Sequence, residues 1–333
     1  MRASFLTEEA WVAWLRRHLR GADEKVRLGV GDDAALVEFR PKRQIVVTSD
    51  LSVEGVHFSR SLHPPDSVGH RALARSLSDI SAMGATPRFA LISLKFPRAT
   101  DRFWLEGFYR GMRRLAGRFG VAIVGGDTAV ARGRIAADVV VLGDVERERA
   151  LLRSGARSGD SLFVGGALGL SALGLRLLRK RPKSHRGAAV QSHLYPEPQC
   201  ELGQFLSRKR LASAAIDISD GLSSDLIRLL NASGAGARLW ENQIPTPSGA
   251  SSRRMGLSLA LDGGEDYKLL FAVPARKVRL LPPRFEGAAI HEIGTVCEME
   301  RGITIGGRNG ARILRAGGYD HFRRSGKAVI RGS

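Results

Sequence analysis

Cysteine is nearly absent: Cys200 and Cys297 are the only two in 333 residues. Two thiols build neither a disulfide framework nor a four-thiolate zinc site, and both read as small buried hydrophobes. Long apolar runs are missing too. No stretch approaches the ~20 apolar residues that span a bilayer. Near the start, Glu8, Glu9, Arg16, Arg17 and Arg20 interrupt any apolar signal core. The expectation is a soluble, cytoplasmic protein with no membrane partner. Acid is scarce as well, with 33 Asp and Glu against 52 Lys and Arg, a net charge of +19. Such a charge attracts polyanions. The basic residues are nevertheless spread along the chain, apart from Arg179-Lys180-Arg181-Pro182-Lys183 and a group around Arg323, Arg324 and Lys327. Aromatics are only 6%, and neither cluster is interleaved with rings on which bases could stack. This favours an Arg-rich solvated surface that gathers anionic small substrates over a nucleic-acid binder.

Several catalytic motifs are also lacking. There is no G-x-x-x-x-G-K-[ST] phosphate loop, no His/Cys zinc spacing and no G-x-S-x-G elbow. Gly29-Val30-Gly31-Asp32-Asp33-Ala34 does fit G-x-G-x-x-A. Its two aspartates would face a pyrophosphate, however, and Leu36–Phe39 reads as a strand where that motif needs a helix. Gly165-Gly166-Ala167-Leu168-Gly169 could cradle phosphate at a helix start, and a plain strand-to-helix turn explains it equally well.

What is present is a globular composition, 43% hydrophobic and 26% charged, long enough for two domains. Thr7, Glu8 and Glu9 open a helix with Trp11, Trp14 and Leu15 on one face. Strands are expected at Ile45–Thr48, Ala90–Phe96, Val121–Val124 and Ile135–Val145, and helices at Val68–Met83 and Phe103–Phe119. Charged Glu146–Arg149 marks a boundary between domains 1–148 and 149–333. Beyond it, Leu162–Val164, Ala214–Ile218 and Tyr267–Val273 read as strands. Helices follow Gly166 and Gly221, and Arg179–Arg186 reads as a surface insertion. The class is α/β (α+β) in two halves of similar size.

The aspartates carry the functional information. They fall at Gly31-Asp32-Asp33, Thr48-Ser49-Asp50, Leu77-Ser78-Asp79, Gly125-Gly126-Asp127 and Asp217-Ile218-Ser219-Asp220-Gly221. Each reads as a tight turn after an apolar run, where an α/β scaffold presents its chemistry. Any one alone could be a helix cap or an ordinary turn. Converging carboxylates repel unless cations hold them, and hard oxygens suit Mg²⁺ bridging phosphates. Five such places point to phosphoryl or nucleotidyl chemistry.

These segments, with Val53-Glu54-Gly55-Val56-His57-Phe58, Gly263-Gly264-Glu265-Asp266-Tyr267 and Gly318-Tyr319-Asp320-His321-Phe322, resemble the thiamine-monophosphate kinases in order and spacing. The resemblance implies a two-domain fold shared with aminoimidazole ribonucleotide synthetase and selenophosphate synthetase, with N-terminal domains paired in a homodimer. It implies several Mg²⁺ ions as cofactor, with ATP and thiamine monophosphate as substrates. By similarity Asp33, Thr48, Ser49, Asp50, Asp79, Asp127, Asp217 and Asp220 are magnesium ligands. Gly126, Asp127, Arg153, Ser219 and Tyr109 are nucleotide contacts, and His57, Glu265 and Tyr319 serve the thiamine phosphate. Thr48-Ser49 replaces the family's usual Ser-Thr, Ser52 a usual apolar residue and Lys268 a common acid. No nucleophile or general base is expected, because the acceptor phosphate, with a second pKa of ~6, is already ionised. The alternatives are a sibling ATP-dependent enzyme of the superfamily and a non-catalytic ATP-binding relative. Selenophosphate synthetases carry a reactive Cys or selenocysteine near the N-terminus, and here none precedes Cys200; the hydrogenase-maturation relative ends in a reactive cysteine, where this sequence reads Arg331-Gly332-Ser333.

Overall fold

A computed structural model describes residues 41–182, 184–307 and 310–319, together with 14, 15, 17, 18, 26–28, 36, 37 and 39. They fall into two compact units. One holds the described residues up to Ile80 and Thr86–Arg147, and the other Ser81–Ala85 and the described residues from Glu148 to Tyr319. None of the described helices is long and apolar enough to cross a membrane.

The first unit contains a small pair, β1 (Val26–Leu28) and β2 (Leu36–Val37), and a four-stranded sheet. The order in that sheet is β3 (Arg43–Val53), β6 (Ala136–Glu146), β4 (Thr86–Phe96), β5 (Ala122–Val130). Only β4 and β5 run parallel. Helix α1 (Pro65–Ala82) begins on a proline, whose missing N–H costs nothing in the first turn. Asp101 caps α2 (Arg102–Arg118) by accepting from the Trp104 N–H at 2.6 Å. The two helices cross closely: a Cβ on Gly69 or Gly111 would sit 1.9 or 1.8 Å from a carbonyl oxygen of the other helix or its first turn. Only glycine permits that approach. Trp14 and Leu15 are buried, whereas Thr7 and Trp11 lie outside the described residues.

The second unit is built on a sheet ordered β14 (Gly310–Ile313), β13 (Ile303–Gly307), β9 (Ala235–Trp240), β12 (Ala288–Glu298), β7 (Ser161–Gly165), β10 (Lys268–Val273), β8 (Ala214–Ile218). A short β11 (Arg284–Phe285) pairs with β12. Within the sheet, β7 and β10 carry uninterrupted apolar runs, Leu162–Val164 and Leu269–Val273, because both faces of these strands are covered. Leu162, Val164, Ile216 and Leu270 pack with Leu226, Leu229 and Leu230 of α6 (Leu222–Ser233). Phe163, Leu269 and Phe271, one residue out of phase, pack with Leu202 and Leu206 of a helix at Cys200–Arg208.

Three of the five expected aspartate turns are not turns. Thr48–Asp50 lies inside β3, Asp127 inside β5 and Asp79 inside α1. The apolar runs stop early, but the hydrogen-bonded ladders do not. β3 pairs with β6 from Arg43 through Val53, and β4 with β5 as far as Val130. A backbone ladder needs a partner strand, not apolar side chains, so it carries polar residues along.

Candidate functional site

In the first unit, the period of two along β3 sends Thr48 and Asp50 to one face and Ser49 to the other. Thr48 Oγ1 donates to Asp79 Oδ2 at 2.5 Å, tying strand to helix. Asp50 Oδ1 accepts from Arg75 Nη2 at 3.3 Å. Ser49 instead donates to Asp138 Oδ1 at 2.7 Å on the exposed face, so its hydroxyl is not gathered with Asp50 and Asp79. Asp127 is exposed on β5, one of its oxygens accepting from the Thr128 N–H at 2.7 Å. Gly126 before it has φ +148°, and a Cβ there would meet the Ile92 carbonyl oxygen at 1.9 Å. Tyr109 is buried between the rings of Trp14 and Phe108. Burial raises its phenol pKa, opposed by a hydrogen bond to Thr128. His57 is half-buried and accepts at Nδ1 from the Val53 N–H at 2.9 Å, which fixes its ring against the end of β3. Asp33 lies outside the described residues.

In the second unit, segments far apart in sequence meet. Asp217 is buried near the end of β8, and Ser219–Gly221 forms the turn into α6. The Glu265 N–H donates to the Ser219 carbonyl at 2.7 Å, and the Tyr319 N–H to the Asp220 carbonyl at 3.2 Å. Glu265 and Tyr319, expected to serve the acceptor, therefore lie directly against the aspartate turn. Glu265 and Tyr267 hold φ of +67° and +50°, a left-handed backbone that costs non-glycine residues about 1 kcal/mol or more each. Arg153 is exposed.

Three side chains that sequence reasoning passed over hold this arrangement. Asp225 Oδ2 accepts from the Ser219, Asp220 and Gly221 N–H groups at 3.0, 3.0 and 3.2 Å. Burial pushes its carboxyl up to about 6, against the amides and Arg228, which lower it. Arg228 Nη1 lies 2.6 Å from both Asp220 Oδ2 and Asp225 Oδ1. Asp266 accepts from the Gly169 and Ser171 N–H groups at 2.5 and 3.1 Å. It thereby fills the start of helix α3 (Leu170–Lys180), so the Gly169 amide at the end of the Gly165–Gly169 loop is already satisfied by a protein carboxylate. For Asp225 the available signal was an acid in its helix's first turn, which alone reads as an ordinary cap, whereas Asp266, in the loop before β10, carried no such local signal.

No group of three or more His, Cys, Asp or Glu side chains is placed to hold a metal among the described residues. The donors fit magnesium in kind, being carboxylates and hydroxyls. Mg²⁺ commonly takes only one or two carboxylates, with phosphate oxygens and water completing its shell.

The chain is 39% identical over 321 residues to the thiamine-monophosphate kinase of Escherichia coli strain K12, spanning 91% of this chain and 94% of that one. It belongs to the thiamine-monophosphate kinase family. Residues 31–145 match the family model "AIR synthase related protein, N-terminal domain". Among solved kinases of this family, the one from Stenotrophomonas maltophilia K279a superposes with a TM-score of 0.80 at 32% identity, covering 90% of this chain and 96% of that chain. AaThiL complexed with AMPPCP and TMP superposes at 0.75 with 31% identity, covering 97% and 99%. The family likeness thus spans both units.

Proposed function

We propose that the protein transfers the γ-phosphoryl group of ATP to thiamine monophosphate, forming thiamine diphosphate. The observation that carries this reading is the near full-length likeness to kinases of that name and to AaThiL complexed with AMPPCP and TMP. Residues 1–148 are assigned magnesium and nucleotide binding and dimerisation, and 149–333 the remaining nucleotide and acceptor contacts. Gly126, Asp127, Arg153, Ser219 and Tyr109 serve the nucleotide, and His57, Glu265 and Tyr319 the acceptor. Asp33, Thr48, Ser49, Asp50, Asp79, Asp127, Asp217 and Asp220 are the proposed ligands of several magnesium ions, with Thr48 and Asp79 already in contact. Ser49, on the opposite face of β3, serves a different ion from Asp50 and Asp79. Bound Mg²⁺ would neutralise the charge on two mutually repelling phosphates. The acceptor oxygen is ionised near neutral pH and needs no base. The protein's task is then to align two anions for direct in-line transfer, without a phosphoenzyme.

A homodimer in the cytoplasm completes the proposal. Ile45, Val47 and Leu51 leave an apolar stripe on the edge strand β3, each about half exposed or more, which a second copy would cover. Incubation with ATP, millimolar magnesium and thiamine monophosphate should yield the diphosphate by chromatography. Phosphorylation of free thiamine instead, or ATP hydrolysis alone, would reject the reading.

A further inference from the structure

We infer that Arg228 is a positioning residue for Asp220: it holds one oxygen of that carboxylate against Asp225 and so presents the other to a cation. The inference rests on the proposed role of Asp220 as a magnesium ligand. The turn that carries Asp220 is unusually constrained. Its three successive amides, from Ser219, Asp220 and Gly221, all point at the single oxygen Asp225 Oδ2. Asp225 is 1% exposed, so these amides are tied to a buried anion rather than to water. A second carboxylate so close would swing away by repulsion. Arg228 prevents this by bridging Asp225 Oδ1 and Asp220 Oδ2 at 2.6 Å each. Both contacts are charge-assisted, and a guanidinium is always charged. Among the described residues, the remaining oxygen, Asp220 Oδ1, makes no hydrogen bond or ion pair.

Arg228 itself is a strap on the solvent side. Its side chain is 43% exposed, whereas its helix neighbours Leu226, Leu229 and Leu230 form the core. Its replacement therefore leaves the packing of α6 in place. Losing a hydrogen-bonding partner of a metal ligand costs about 10–100-fold in metal affinity. If Arg228 only neutralised Asp220 until a cation displaced it, its removal would instead tighten binding.

Calorimetric titration of Mg·AMPPCP into full-length Asp220→Asn, Arg228→Met, the double variant and Arg228→Lys decides the matter. Asp220→Asn and Arg228→Met should each weaken binding about 10-fold. The double variant should bind no more weakly than Asp220→Asn alone, and Arg228→Lys should recover part of the loss. That non-additivity is what a merely structural arginine would not give. A further loss on adding Arg228→Met to Asp220→Asn overturns the inference. So does an Arg228→Met variant that binds as well as the wild type or better. Wild-type affinity in Asp220→Asn would remove Asp220 as a ligand and take the inference with it. That pattern is distinct from one in which only the arginine is silent.

Discussion

Asp79 sits within α1 and accepts a hydroxyl hydrogen bond from Thr48, so its carboxylate is ordered without any ion. Asp50 is held by Arg75, while Asp127 is exposed and open. Replacement by Asn keeps the shape and an acceptor oxygen at each place and removes the charge a hard cation needs. Asp50→Asn, Asp79→Asn and Asp127→Asn should each lower turnover by roughly 100-fold or more, a loss on the scale of removing one transition-state charge stabiliser. Circular dichroism should show the fold retained. Near-normal turnover in all three would reject magnesium ligation by these aspartates.

Helix α3 depends on Asp266, 95 and 97 residues away from the amides it caps. Burial pushes this carboxyl up to about 6, opposed by its two amide donors and Lys268 and reinforced by Glu265. The neighbouring Lys268 ammonium is lowered by burial and held up by Asp266. An unfolded Asp releases its proton near pH ~4, whereas the folded one keeps it to about 6. Within that window the folded state binds more protons, so stability falls as pH rises and levels off above it. The loss amounts to ~2–3 kcal/mol. Asp266→Asn keeps an oxygen acceptor and removes this titration. Urea unfolding from pH 4 to 8 should therefore show a smaller decline between pH 4 and 6 in the variant than in the wild type. Asp225, raised to a similar value, titrates in both proteins and cancels in the comparison. Parallel pH profiles would show that Asp266 does not titrate there.

At the scale of the whole molecule, the charge of +19 favours small anions over water-only surroundings. A cavity of about 460 Å³ in the first unit illustrates it, being lined by Arg17, Arg102, Arg110 and Arg113 against a single acid, Glu106, with Trp14 and His18. It contains none of the site residues expected from the sequence. The same charge opposes self-association, so a homodimer must draw on apolar surface such as the β3 stripe. Val47 is 61% exposed there. Val47→Asp is harmless on a solvated strand face but would bury a charge in a dimer. Sedimentation should find a dimer for the wild type and a monomer for the variant. Dimers in both would move the interface elsewhere.

The strand Ala214–Ile218 is observed where it was expected, and the helix expected over Val68–Met83 runs over Pro65–Ala82. Apolar periodicity, proline and glycine are properties of neighbouring residues, and local sequence states them fully. The order of motifs was likewise sufficient to indicate the family. The continuation of β3 and β5 through Thr48–Asp50 and Asp127 was not legible, because partner strands far along the chain supply the other half of each hydrogen bond. Nor were the parts played by Asp225, Arg228 and Asp266, since a first-turn acid such as Asp225 looks like any other cap and the donors to Asp266 lie 95 and 97 residues away. Which carboxylate tightens a turn, and which is left with an oxygen to spare, depends on amides and a guanidinium that only tertiary folding brings within 3 Å.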